Sequence, residues 1–183
     1  VADGEVLARA RLDAPARAIA VGRPDVQVSA DLSTETEPST LRVAAVTDAG
    51  DVALWEAPRG ALLALAAAGR AQVVALDPSG EGLARGDDDG RLHLRGGDGA
   101  LIRVHAHHRA PIRALAFAPS GGVLASAAQD GAVILWNLPK NTRRELSSVA
   151  AAPRGLAFAG DALLASTAAG SVRRWREGDG VAA

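Results

Sequence analysis

The sequence predicts an all-β fold built from four copies of one short unit, and three observations lead there. The stretch QDGAVILW at 129–136 recurs as DAGDVALW at 48–55, DDGRLHLR at 88–95 and AAGSVRRW at 168–175. The turn glycines Gly50, Gly90, Gly131 and Gly170 are spaced 40, 41 and 39 residues apart, and five residues after them stand Trp55, Arg95, Trp136 and Trp175. All three tryptophans of the chain therefore occupy one repeat position. Between these turns lie short apolar runs bounded by Gly, Pro, Asp and Ser, the pattern of strands in a repeat architecture.

Each unit divides into four extended runs. The first comprises 16–21, 71–76, 112–117 and 154–158 in the successive units. Turns follow at DPSGEG (77–82) and APSGGV (118–123). The second run opens on Leu83-Ala84 and Leu124-Ala125; in the fourth unit Leu164-Ala165 stands one residue closer to its turn glycine. The third run ends in Trp or Arg95, and the fourth covers 61–65, 101–104 and 143–147. The stretch GALLALAAAGRAQ at 60–72 is rich in helix formers, but its place in the register predicts two strands.

Composition limits the chemistry available. The 183 residues are about one domain's worth, and 48% hydrophobic content supports a packed core. Aromatics make up only 3%, with no Tyr, so Ala, Val and Leu must build that core. The absence of Cys excludes disulfides, thiolate metal sites and cysteine nucleophiles. A net charge of −1 argues against a generally basic nucleic-acid surface. No apolar run reaches the roughly 20 residues that span a bilayer, and no signal peptide is visible; a soluble, cytoplasmic chain without membrane or nucleic-acid partners is expected. The chain starts at Val1, has no Met, and carries one Lys (Lys140) among its 20 basic residues. These features predict a piece of a longer or processed polypeptide with GC-rich, bacterial coding.

The 40-residue period, the PSG turn, the Leu-Ala pair, the DG turn and the strand closing in Trp together resemble the WD-repeat family of β-propellers. The third unit is nearest, with His108 followed by RAPIRALAFAPSGGVLASAAQDGAVILWN and Asn137 where the family has Asp. The first unit carries a long insert, RPDVQVSADLSTETEPST at 23–40; the second has Arg95 for Trp, and the fourth has Ala169 for the turn Asp. The resemblance covers almost the whole chain. It implies blades at approximately 14–66, 67–106, 107–149 and 150–183, with GEVLARARL at 4–12 as the outer strand of a neighbouring blade. Family rings usually hold seven or eight blades, so four implies part of a larger ring or a half-ring that pairs with another.

In such repeats a His before the first strand, a hydroxyl on the second, the turn Asp and the closing Trp can form a hydrogen-bonded chain. Here His108, Asp130 and Trp136 match, with Trp55 and Trp175 at the same structural position in other units; Ala128 cannot supply the hydroxyl, and Ser126 stands two places away. Asp130 is thus expected to shape a turn rather than act as a catalytic acid. His105, His107 and His108 lack a second ligand set, and GDDDG at 86–90 lacks the spacing of a Ca²⁺ loop, so neither predicts a metal. No GxSxG, P-loop or HExxH motif occurs. No catalytic residue or cofactor is expected.

Stacking the first strands in register places Arg17, Gln72, Arg113 and Arg154 at one position. In a propeller, equivalent residues there converge at the channel mouth, where guanidinium groups would favour acidic or phosphorylated groups on a partner. The competing reading is that they pair with the turn aspartates Asp48, Asp88 and Asp130. The function expected is a non-catalytic protein-interaction platform, a scaffold or the sensor domain of a larger protein, contacting partners through Arg17, Gln72, His107, Arg109, Arg113 and Arg154. Two alternatives stay open: blades with a purely structural role in a composite ring, completed by the same polypeptide or another chain, and a ligand or enzyme propeller with chemistry in its channel.

Overall fold

The computed structural model describes residues 15–22, 41–57, 61–66, 70–146, 148–149 and 151–176. These residues form strands and no helix, so none of them makes a helix long and apolar enough to cross a membrane. The first sheet contains β1 (Ala16–Gly22), β2 (Leu41–Thr47), β3 (Val52–Ala57) and β4 (Ala61–Ala66). The second contains β5 (Ala71–Leu76), β6 (Gly82–Asp87), β7 (Arg91–Gly96) and β8 (Leu101–Ala106). The third contains β9 (Ile112–Phe117), β10 (Val123–Ala128), β11 (Val133–Asn137) and β12 (Thr142–Leu146). The fourth, among the described residues, contains β13 (Pro153–Ala159), β14 (Ala162–Thr167) and β15 (Val172–Trp175). Every sheet is an antiparallel meander with strands in chain order, which is the expected blade. The 4–12 segment and the 23–40 insert lie outside the described residues.

Repeat register overrides local propensity at 60–72, where the helix formers are divided between β4 and β5. The register also corrects one equivalence. Trp136 stands opposite Leu124 and Trp175 opposite Leu163; Leu163-Leu164, not Leu164-Ala165, therefore occupies the Leu-Ala position of the fourth blade.

Blades stack through their first strands: β1 lies against β5, β5 against β9 and β9 against β13. One packing rule repeats at each junction. Alternation along a strand sends successive side chains to opposite faces, and at each junction the later first strand brings the larger side chains and the earlier one the smaller. Val74 and Leu76 of β5 cluster with Ala18 and Ala20 of β1. Leu115 and Phe117 of β9 cluster with Val73 and Ala75 of β5, and Leu156 and Phe158 of β13 with Ala114 of β9. Fully burying each large side chain contributes about 1.5–3 kcal/mol, and the alanines let the sheets approach.

The turn glycines serve both conformation and stacking. Gly90 and Gly131 adopt positive φ of 81° and 89°, which L side chains rarely reach. A Cβ on either would also collide with the backbone carbonyl of His108 or Val149 in the loop leading to the next blade. The Gly131 carbonyl accepts a bond from Val149 N at 3.0 Å, as Gly50 O does from Ala71 N at 3.2 Å.

Candidate functional site

Each first strand carries the same irregularity near its start. The strand register skips one residue between Ala16 and Ala18, between Ala71 and Val73, and between Pro153 and Gly155. In the third blade Ala127 pairs with Ala114 and Ala128 with Ile112, which skips Arg113. The unpaired residues are thus Arg17, Gln72, Arg113 and Arg154, the four that sequence register aligned. A bulge bends the strand and re-aims the side chain it releases. Repeating it in neighbouring blades builds an arc of four side chains at one end of the stack.

Three members of the arc are joined. Gln72 Oε1 accepts bonds from Arg17 Nη1 at 2.9 Å and from Arg113 Nη1 at 3.0 Å, linking the first three blades. Arg17 also pairs with Asp48 Oδ1 at 3.4 Å. Arg113 donates through Nε and Nη2 to Gln129 Oε1 at 3.2 and 2.6 Å. The expected pairing with turn aspartates therefore holds for Arg17 only: Asp88 meets Arg70 at 3.5 Å, and Asp130 Oδ1 accepts from Ala132 N of its own turn at 3.1 Å.

Arg154 differs because of one residue. The position whose N–H bonds back to the loop before the first strand is Asp48, Asp88, Gln129 and Ala168 in successive blades. In the fourth blade that residue has only a methyl group. Arg154 is exposed, and among the described residues it has no hydrogen bond or ion pair. A guanidinium left open beside two amide-bridged arginines can receive a carboxylate or phosphate through paired N–H donors.

His107 and Arg109 are exposed in the loop before β9. The His107 ring lies 5.6 Å from that of Trp136, and its Nε2 is 3.5 Å from Arg143 Nη1. It thus joins His105, whose ring is 4.5 Å from Trp136, rather than the arc. Trp55 is half-buried in β3 and Trp175 buried in β15, with the Arg173 guanidinium 5.4 Å from its ring centre.

Beneath this surface, the hydrogen-bonded chain of the third blade runs through Ser126. Trp136 Nε1 donates to Ser126 Oγ at 2.8 Å, and His108 Nε2 lies 2.7 Å from the same oxygen. Ser126 is the hydroxyl, because the residue two places before Ala128 stands beside Ile134 and within reach of the indole. Asp130 is not a member: it caps its own turn, and His108 Nδ1 has no hydrogen-bond partner. Burial pushes His108 down to about 4, against the opposing pull of the Asp130 and Glu145 carboxylates.

The second blade holds a buried charged cluster that the sequence reading passed over. Arg85 stands opposite His93, and its Nη2 meets Asp87 Oδ2 at 2.8 Å; His93 Nε2 lies 3.0 Å from that same oxygen. Arg85 and Asp87 are almost fully buried. Burial first, then the Arg85 charge, lowers the His93 pKa. Its only signal in the sequence was a set of charged residues, Arg85, Asp87 and Arg95, in register with Ser126, Ala128 and Trp136. The other aspartates of GDDDG are exposed, Asp88 pairing with Arg70 and Asp89 with Arg70 and Arg91. Among the described residues no group of three or more His, Asp or Glu is placed to hold a metal. At the opposite end of the strands a groove of about 600 Å³ opens between the third and fourth blades, with Leu135, Phe158 and Trp175 among its lining.

Residues 99–137 match the family model for the WD domain, G-beta repeat. No curated protein sequence matches the chain. Among solved structures, the chain is similar to the RRP9 WD40 repeats, with a TM-score of 0.76, 18% identity, and coverage of 96% of this chain and 52% of that one. It is similar to the computationally designed Ika4 protein, with a TM-score of 0.71, 17% identity, and coverage of 96% and 99%. For the computationally designed Ika8 protein the TM-score is 0.68 at 18% identity, covering 92% of this chain and 48% of that one. The chain spans about half the length of RRP9 and Ika8.

Proposed function

We propose that this chain, a stack of WD-repeat β-propeller blades, is a non-catalytic protein-interaction platform that works in the cytoplasm and captures acidic or phosphorylated segments of a protein partner. The observation that carries this reading is the bulge repeated in four first strands, which turns Arg17, Gln72, Arg113 and Arg154 to one end of the stack. Arg154 is the primary contact, because its neighbour Ala168 leaves the guanidinium unsatisfied. Arg113 and Arg17, held by Gln72, supply a fixed positive flank whose field adds to the on-rate as well as the affinity. Arg109, on a loop at the third blade, contributes a peripheral charge, and His107 serves mainly to pack against Trp136.

An array of Asp/Glu-rich and phosphoserine-containing peptides tests the proposal. Bound peptides should lose at least about tenfold in affinity on Arg154→Glu, since a charge-assisted bond to a guanidinium is worth about 1.5–3 kcal/mol. The melting temperature should stay the same, because the side chain is exposed. Undiminished binding by a folded Arg154→Glu, Arg113→Glu double variant would refute the assignment.

A further inference from the structure

The two ends of the blade stack carry complementary uncovered surfaces, and we propose that they join two copies of this chain, head to tail, into one closed ring of eight blades, twice the four sheets formed by the described residues. This goes beyond the platform reading and does not depend on it.

The inference follows from the packing rule at the three internal junctions. There, the side chains of the later first strand are larger than those of the earlier strand they meet: Val74 and Leu76 on Ala18 and Ala20, Leu115 and Phe117 on Val73 and Ala75, Leu156 and Phe158 on the Ala114 face. The same register assigns the residues at the free ends. Val21 stands opposite Val43 as Phe158 stands opposite Leu163, so Ile19 and Val21 are the large pair of the first blade. Gly155 and Ala157 are the small pair of the fourth, in the place of Ala114 and Ala116.

Both terminal sets are uncovered. Ile19 and Val21 are 64% and 57% exposed, whereas their counterparts Val74 and Leu76 are 5% and 7% exposed. On the outer face of the fourth blade Ala157, Ala159 and Ser166 are exposed, and Val172 is 68% exposed. Gly170 completes the picture. It keeps the positive φ of the turn glycines, but a Cβ there would meet nothing within 4 Å, whereas one on Gly90 or Gly131 would strike the following blade.

A second copy fits these surfaces because each copy brings both halves of the junction. The large pair of one chain seats on the small pair of the other, and two-fold symmetry repeats the contact at the far side. Eight blades lie within the range that propellers form. Each junction also covers exposed apolar side chains of a kind that mark association surfaces when they lie together.

Light scattering on the 183-residue chain, in the micromolar range, should give twice the chain mass. Ile19→Glu alone and Ala157→Lys alone should each give the single-chain mass with an unchanged circular dichroism spectrum. Mixed in equal amounts, the two variants should return to the double mass. In the mixed pair one junction sets the new carboxylate against the new ammonium, and the other is of native sequence. Should Ile19→Glu fail to fold, Val172→Glu on the other face takes its place, and a folded single-chain species is again expected. A native chain of single mass, or one that grows into species larger than two copies, would overturn the proposal. So would folded variants that keep the double mass separately, or a mixture that fails to regain it. The monomeric outcome would assign the open faces to further blades, of the same polypeptide or another.

Discussion

Replacing Ser126 with alanine removes one oxygen from the interior of the third blade, and the structure sets what that costs. The hydroxyl is fully buried and has two buried partners, the Trp136 indole N–H at 2.8 Å and a His108 ring nitrogen at 2.7 Å. Trp136 packs with Leu124, Ile134 and second-blade residues, and His108 is buried, so water does not replace the lost oxygen. Leaving a buried donor or acceptor unpaired costs about 1–3 kcal/mol, and two orphaned atoms set the loss at about 2–6 kcal/mol. For a chain of this size each kcal/mol lowers the melting temperature by about 2–4 °C, so Ser126→Ala should melt at least about 4 °C below the native chain. Urea unfolding followed by far-ultraviolet circular dichroism should show a lower midpoint with the same slope. A triple replacement, Ser126→Ala with Trp136→Phe and His108→Leu, should recover part of the loss, because no polar atom is then left unpaired. A loss below about 0.5 kcal/mol, the size of an ordinary surface substitution, would show that the junction between the second and third blades admits water, and the dry tie inferred here would fall.

Two further outcomes follow from the buried titratable groups. His108 has a native pKa of about 4 and an ordinary value of 6.5, so the unfolded chain binds the extra proton and stability is lost as pH falls from 6.5 toward 4. The loss approaches about 3 kcal/mol for that group; burial lowers the His93 and His105 values too, which adds in the same direction. Between pH 7 and pH 4 the unfolding midpoint of the native chain should fall faster than that of His108→Gln, and parallel curves would refute the burial account. In the second blade, Asp87→Asn leaves the Arg85 guanidinium buried without its carboxylate, a change that costs about 3–5 kcal/mol. Arg85→Met combined with Asp87→Leu should be far milder than Asp87→Asn in the same denaturation assay, and equal losses would place the cluster in contact with solvent.

The repeat was legible because its signals are local: a glycine forced to positive φ, and a large ring five residues on. What the chain hides is whatever depends on two blades at once. Ser126 was displaced from its expected place because counting from the turn gave Ala128, whereas the hydroxyl that the Trp136 indole reaches stands two residues beyond its strand partner Leu124. The Arg85, Asp87 and His93 cluster escaped for a related reason. Alternating polar residues in an isolated sheet read as a solvent face, but in a stack both faces are covered, and a charged side chain in the Ser126 position must find its partner inside.

The candidate site sits between these cases. Register alone aligned Arg17, Gln72, Arg113 and Arg154, since identical strand positions converge on one end of any stacked repeat. The bulge that releases them is invisible in a single strand, because it is defined by what the neighbouring strand skips. Yet the decisive difference among the four was readable: Asp48, Asp88 and Gln129 can hold a guanidinium, and Ala168 cannot. In the proposed function, recognition arises where the repeat decays. The well-kept third blade uses its polar groups to hold itself together, while the fourth has Ala168 and Ala169 at its turn and leaves the Arg154 guanidinium exposed.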